Sequence, residues 1–273
     1  MKRIPLIAVL LAAATSCSLV LEDRRDCPAF VFFSREDGEE PGDRDRVLVK
    51  VMDGDTMEEL SSDDPLLEKL CSDSYSIAIP KREEILSCGV TGMRVGTLEG
   101  NILDIPAGNQ GDPIYRFCKS GPLEGEEFRV PVRFTKEFSR IEVQFRSDDG
   151  QFPYNVVVTG NTRGIDITSG MPVQGPFRYT PPQAEKGVFR FRVPRQGDYT
   201  LSLELWSAPD AKSGREEEKV DDLILWNALQ NIRGFSWAME SLPDLTVVID
   251  YVKSSVSVLV NDWDVSYSLS YTL

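Results

Sequence analysis

The chain has 273 residues, with 44 acidic against 30 basic side chains, a formal net charge of −14 and no histidine. Such acidity repels nucleic-acid phosphates and offers no polybasic grip on anionic lipid. Without histidine, Ser-His-Asp and Cys-His catalysis, His-ligated zinc and His general bases are excluded, so an enzyme would have to work with carboxylates.

The N-terminus reads MKRIPLIAVLLAAATSC. Lys2 and Arg3 precede an apolar stretch from Ile4 to Ala14, and Ala14-Thr15-Ser16 are small residues before Cys17. This is the layout of a secretory signal, and its apolar stretch is shorter than the roughly twenty residues a bilayer-spanning helix needs. Small residues directly before a cysteine resemble the lipobox of bacterial lipoproteins. That resemblance implies a signal peptide over residues 1–16, lipid on Cys17, and a linker over 17–27. The alternative is ordinary secretion without lipid. No cofactor is expected beyond the covalent lipid, and no metal.

Strand patterns then follow one another. Ala29 to Phe33 has strand composition. After an acidic loop, Val47, Val49 and Val51 fall in strand register, and Asp53-Gly54 signals a turn. Ser62 to Cys71 reads as a short helix, with Asp63 or Asp64 to cap it, Pro65 at its first position and Leu66, Leu67 and Leu70 on one face. Tyr75, Ile77 and Ile79 alternate up to Pro80. Between Leu86 and Phe117, Gly, Asn, Asp and Pro recur too often for long elements.

Strand spacing resumes in EEFRVPVRF and SRIEVQFRS, where Ile141, Val143 and Phe145 alternate with charged or polar residues. The loop DDGQFP suggests a boundary near Gly150, dividing a domain over 28–150 from one over 151–273. NVVVT, GVFRFRVP and DYTLSLELWS read as strands, and the stretch from Ile167 to Gly187 reads as loop. Asp221 to Glu240 fits either a strand-turn or a helical excursion. LTVVIDYV, SSVSVLVNDW and VSYSLSYTL are strands again. Many short strands separated by turn signals predict an all-β protein of sandwich type. Too few helices are present for parallel βαβ order.

Cys27, Cys71, Cys88 and Cys118 remain after Cys17. Outside the cytoplasm they permit two disulfides in any of three pairings, or stay free thiols. DGDTMEE from Asp53 to Glu59 bunches oxygens as calcium sites do, but lacks the full ligand loop and reads as a hairpin turn. Trp206, Trp226, Trp237 and Trp263 suit either a sugar-binding platform or core. Arg24-Arg25 and Arg44-Asp45-Arg46 are exposed charge runs with the composition of protease sites.

The C-terminal nine residues alternate throughout. Val265, Tyr267, Leu269, Tyr271 and Leu273 share one face, against Ser266, Ser268, Ser270 and Thr272. A terminal strand with a fully apolar face must be paired, either within its own sandwich or on another chain's sheet.

Cys17 to Pro28 (C-x9-CP), the RVLVKVMDGD strand-turn, LPDLTVVIDY and VLVNDWDV, above all Asn261-Asp262-Trp263, together resemble the FimB-type fimbrial anchor lipoproteins of Bacteroides-like bacteria. The resemblance implies two tandem transthyretin-like (Greek-key) β-sandwiches. It also implies a non-enzymatic role in which the chain holds the base of a fimbria on the outer membrane and contacts its shaft subunits. Shaft subunits of that system lose an N-terminal strand to an arginine-specific protease, whereas an anchor keeps its N-terminus and its lipid. On that basis residues 255–273 are expected to contact the first shaft subunit, with Val265, Tyr267, Leu269, Tyr271 and Leu273 in alternate pockets. The alternative is an outer-membrane glycan-binding lipoprotein.

Overall fold

A computed structural model describes residues 27–42, 45–148, 152–207, 217–230, 232, 235–253 and 255–260. Cys17, Arg24-Arg25, Gly150, Trp263 and residues 265–273 lie outside them.

Among the described residues the chain is all-β apart from two single-turn helices. In the N-terminal half a three-stranded sheet faces a five-stranded one across a shared core. The smaller sheet has β1 (Pro28–Arg35) in its centre, antiparallel to β4 (Ser76–Pro80) and parallel to β9 (Glu127–Val132). The larger runs in the order β10 (Thr135–Lys136), β8 (Tyr115–Pro122), β5 (Glu84–Thr91), β2 (Leu48–Asp53), β3 (Glu59–Asp63). Ala29, Val31 and Phe33 point inward from β1, as their period of two requires, onto Val49, Val51, Ile85, Phe117 and Val130.

The C-terminal half repeats this plan. Its five-stranded sheet runs β14 (Gln183–Glu185), β15 (Val188–Pro194), β11 (Phe138–Arg146), β18 (Leu245–Asp250), β19 (Ser255–Val260). Strand β11 holds the place of β1, with β15 antiparallel on one side and β18 parallel on the other. The facing sheet is built on β12 (Tyr154–Asp166), whose one edge carries β13 (Pro172–Tyr179). Its other edge carries first β16 (Ser202–Ser207), then β7 (Ile102–Asp104); β17 (Lys219–Ile224) and β6 (Thr97–Glu99) lie outside these.

The two sheet pairs are interlaced. Strands β6 and β7, which occur early in the chain, belong to the C-terminal sheet. Leu103 from that hairpin joins Ile165 and Ile167 against Met52, Cys88 and Val90 on the outer face of the N-terminal sheet, forming a third core at the junction. Sheet membership otherwise changes between Lys136 and Phe138. The boundary read near Gly150 falls outside the described residues.

Several sequence expectations are corrected. The helix expected over Ser62 to Cys71 is α1 (Leu67–Leu70) alone, and β3 takes the preceding residues. Asp63 and Asp64 do not cap it. Asp63 accepts from the Tyr75 hydroxyl at 2.6 Å, and Asp64 pairs with Arg46 at 2.6 Å, so tertiary partners override the local capping pattern. The interrupted region from Leu86 to Phe117 holds only short strands in its interior, β6 and β7, but overlaps β5 and the start of β8, which pair residue for residue over Glu84–Thr91. Gly89 is required there because the Phe117 ring lies where its side chain would be. The Ile167–Gly187 stretch is partly strand, β13 and β14, held by the long β12 and by β15. Asp221 to Glu240 contains both alternatives, β17 and then α2 (Leu225–Leu229).

A Cβ on Gly89 would stand 2.3 Å from Phe117 Cε1. That ring is fixed by edge contacts with Phe33 and Phe134 at 6.3 and 5.5 Å. Gly89→Val is therefore expected to destabilise by about 2–3 kcal/mol through overpacking. The check is a lower urea midpoint with an unchanged m-value.

Candidate functional site

In an all-β fold, the sheet edges are the places where a further strand can be taken up. Unpaired N–H and C=O groups on an outer strand invite another chain, and natural edges are blunted with charges or proline. Most outer strands here follow that rule. β9 carries Glu127, Arg129 and Pro131; β3 has Glu59 and Asp63; β4 ends on Pro80; β10 has Lys136. In the other pair, β14 has Glu185, β6 has Glu99, β17 has Lys219, Asp221 and Asp222, and β13 has two prolines and Arg178.

Strand β19, SVSVLV, has neither charge nor proline. It pairs with β18 on one side, from Ser255 opposite Asp250 to Val260 opposite Leu245. Among the described residues no strand pairs with its other side. Val256, Val258 and Val260 point into the core, leaving Ser255, Ser257 and Leu259 half-buried on the other face. The turn before it is closed by Asp250, whose Oδ1 accepts from Lys253 N at 3.0 Å. The sequence-derived contact residues Val265, Tyr267, Leu269, Tyr271 and Leu273 follow β19 in the chain and lie outside the described residues, as does Cys17.

A second distinctive place is the junction. Glu137, with a side chain only 2% exposed, receives Arg195 Nε at 2.6 Å and Arg116 Nε at 3.2 Å. The Thr135 hydroxyl donates to the same carboxylate at 2.9 Å. Arg195 also donates to the carbonyls of Trp237, Met239 and Glu240. One buried acid thus links β8, the segment entering β11, the end of β15 and the Ser236–Glu240 loop. Lys136 supports the same loop region through Asp244 Oδ1 at 2.7 Å. These residues were not singled out in the sequence, where isolated Arg and Glu look like solvated surface.

Beside this network opens a cleft of about 500 Å³, lined among others by Arg116, Met171, Gln196, Tyr199, Trp226 and Trp237. Tyr199 is 63% exposed and stacks on Trp226 with ring centroids 4.3 Å apart. Gln196 is buried, and its Oε1 has no hydrogen-bond partner. Of the described tryptophans, Trp226 and Trp237 line this cleft and Trp206 does not. Trp237 is buried edge-on to Phe235, Trp206 lies under Arg178 and donates to Glu204, and Trp263 is outside the described residues.

The carboxylates at the two ends of the Asp53–Glu59 segment are engaged within the protein, Glu59 with Lys50 Nζ at 2.7 Å. Asp53 accepts from Asp55 N and Thr56 N and pairs with Arg82 at 3.0 Å. The backbone donors, chiefly that of Thr56, hold its carboxyl below the usual range although burial opposes them.

No family model and no curated protein matches the chain. Solved structures do match, over nearly its whole length. The fimbrial anchor protein Mfa2 from Porphyromonas gingivalis aligns with a TM-score of 0.58 and 13% identity, covering 88% of this chain and 100% of its own. A candidate polysaccharide-binding protein from Bacteroides thetaiotaomicron aligns with a TM-score of 0.60 and 14% identity, over 89% and 98%. A candidate adhesin from Bacteroides ovatus gives 0.60 and 14%, over 89% and 96%. The chain has the fold of fimbrial anchor and adhesin proteins from these bacteria, in agreement with the resemblance read from its sequence.

Proposed function

We propose that this protein is a surface-exposed, non-enzymatic lipoprotein of the fimbrial-anchor type. Lipid on Cys17 holds it at the outer membrane. Two tandem transthyretin-like sandwiches, divided near Lys136 and Phe138 and joined by the β6–β7 hairpin, form a rigid spacer. The edge at β19 and residues 265–273 contact the first shaft subunit. The observation carrying this reading is that β19 alone among the outer strands described lacks a charge or proline, on a fold shared with Mfa2. Main-chain hydrogen bonds along such an edge supply affinity, and alternate side chains supply specificity. The test is co-purification of a fimbrial shaft subunit with the tagged protein from its own host. Loss of that subunit on deleting 265–273 supports the reading, and its retention refutes the assigned contact.

The position of Arg24-Arg25 bears on the same reading. Both precede β1, whose Ala29, Val31 and Phe33 fill the first core. A cut after Arg25 is expected to release the protein from its lipid while leaving the sandwich folded. Mild trypsin treatment of membranes checks this, through a soluble fragment with unchanged thermal unfolding.

A second reading, glycan binding, is favoured by one observation, the exposed face of Tyr199 stacked over the junction cleft. Sugars pack their C–H faces on such rings while polar groups beside them fix orientation. If it holds, Tyr199→Ala weakens oligosaccharide binding at least tenfold without shifting Tm, as titration calorimetry would show. Equal affinity for wild type and variant removes this site.

A further inference from the structure

Besides Cys17, four cysteines lie in the N-terminal half, and strand register sets two of them face to face. Cys27 immediately precedes β1, whereas Cys71 lies near Arg35 at that strand's far end. An eight-residue strand separates its ends by on the order of 25 Å, beyond the roughly 7 Å limit between bridged Cα atoms. Cys71 packs on the first core, whereas Cys88 is in the junction core on the opposite face of the five-stranded sheet. Cys88 and Cys118, however, are directly opposite one another on β5 and β8. Their neighbours Gly89 and Phe117 both point into the first core, so the two thiols share the outer face. Opposed antiparallel residues have Cα atoms about 4.5–5.5 Å apart, inside the disulfide range of about 4.4–6.8 Å.

We propose that Cys88 and Cys118 form a cross-strand disulfide that clamps the two sheet pairs together. The ring closed by this bond is unusual in its contents. Between the two cysteines the chain leaves β5, runs out as the β6–β7 hairpin, and returns as β8. That hairpin is part of the C-terminal sheet, with Ile102, Leu103 and Asp104 paired to Asp166, Ile165 and Gly164. Cross-linking the base of the loop therefore fixes, from the N-terminal sheet, both ends of a segment built into the C-terminal one. Export to an oxidising compartment, as in the reading above, would supply the conditions. The chemistry itself needs only a disulfide oxidant such as glutathione disulfide.

Burial raises both thiols, that of Cys88 up to about 12, and Cys118 is the exposed one of the two, so in the folded chain exchange starts there. Its thiolate attacks glutathione disulfide, releasing one glutathione thiol and forming a mixed disulfide. Cys88, on losing its proton, then attacks the Cys118 sulfur and releases the second glutathione. The protein loses two protons and two electrons, and glutathione disulfide gains them.

The test uses the purified full chain in a glutathione redox buffer, quenched with acid, unfolded, alkylated and digested with trypsin. The expected product joins Glu83–Arg94 to Phe117–Lys119 and weighs two hydrogens less than the separate peptides, with Cys27 and Cys71 alkylated. The oxidised protein should unfold about 8 °C above the reduced one, an increment lost in Cys118→Ser. Alkylation of both Cys88 and Cys118, pairing of either with Cys27 or Cys71, or an unchanged Tm would each overturn the proposal. Because purified protein is used, none of these outcomes depends on the fimbrial reading.

Discussion

Glu137→Ala is expected to destabilise the protein by about 3–5 kcal/mol, the usual penalty for removing one partner of a buried ion network. The carboxylate is the shared acceptor for Arg195 and Arg116, and neither Glu137 nor Arg195 has appreciable access to water. Removing it leaves a guanidinium charge in the junction with only neutral carbonyl partners. The cost arises from stranding that charge rather than from losing attraction as such. Replacing both members, as in Glu137→Leu with Arg195→Met, is therefore expected to cost clearly less than Glu137→Ala alone. Urea denaturation of the three proteins checks this. Equal stability of wild type and Glu137→Ala would show that the network does not hold the junction.

Truncation after Trp263 is expected to lower affinity for the fimbrial partner by at least a hundredfold while leaving the described sheets folded. The reasoning begins with β19. Its inward valines are already buried on the second core, so β19 keeps its place without the residues that follow. Its outer edge and the apolar face formed by Val265, Tyr267, Leu269, Tyr271 and Leu273 are what a strand-mediated contact would use. Cys17→Ala, by contrast, is expected to release the protein into the soluble fraction with its partner affinity unchanged. Binding measured on immobilised partner separates the two effects. If the truncated protein binds as tightly as the full chain, the contact lies elsewhere.

How much of this was legible beforehand depends on how local the cause was. Val47, Val49 and Val51, or Ile141, Val143 and Phe145, alternate strictly, and each set lies in a core as that period requires. Strand β5 was hidden because Ser87, Cys88 and Gly89 have poor strand composition. What makes them a strand is pairing on both sides, with Phe117 packed on Gly89. β13 was hidden by Pro172, Gly175 and Pro176, residues tolerated because, among the described residues, β13 has β12 on one side and no strand on the other. The helix over Ser62 to Cys71 shrank because Asp63 and Asp64 found partners distant in sequence.

At the candidate sites the same division holds. The lack of charge in SVSVLV could be read directly, but its significance required knowing which strands are outermost. The Glu137 network could not be read at all, since its members are separated by 21 and 58 positions. Cys88 and Cys118 were one of several open pairings until strand register placed them opposite one another.

The most direct test of the anchor reading is to extract the protein from its host's membranes in mild detergent and compare unboiled with boiled samples by SDS gel electrophoresis. The account predicts a heat-labile band or ladder containing this protein and a second envelope protein, lost when residues 265–273 are deleted. A single band at the monomer position before and after boiling would contradict it.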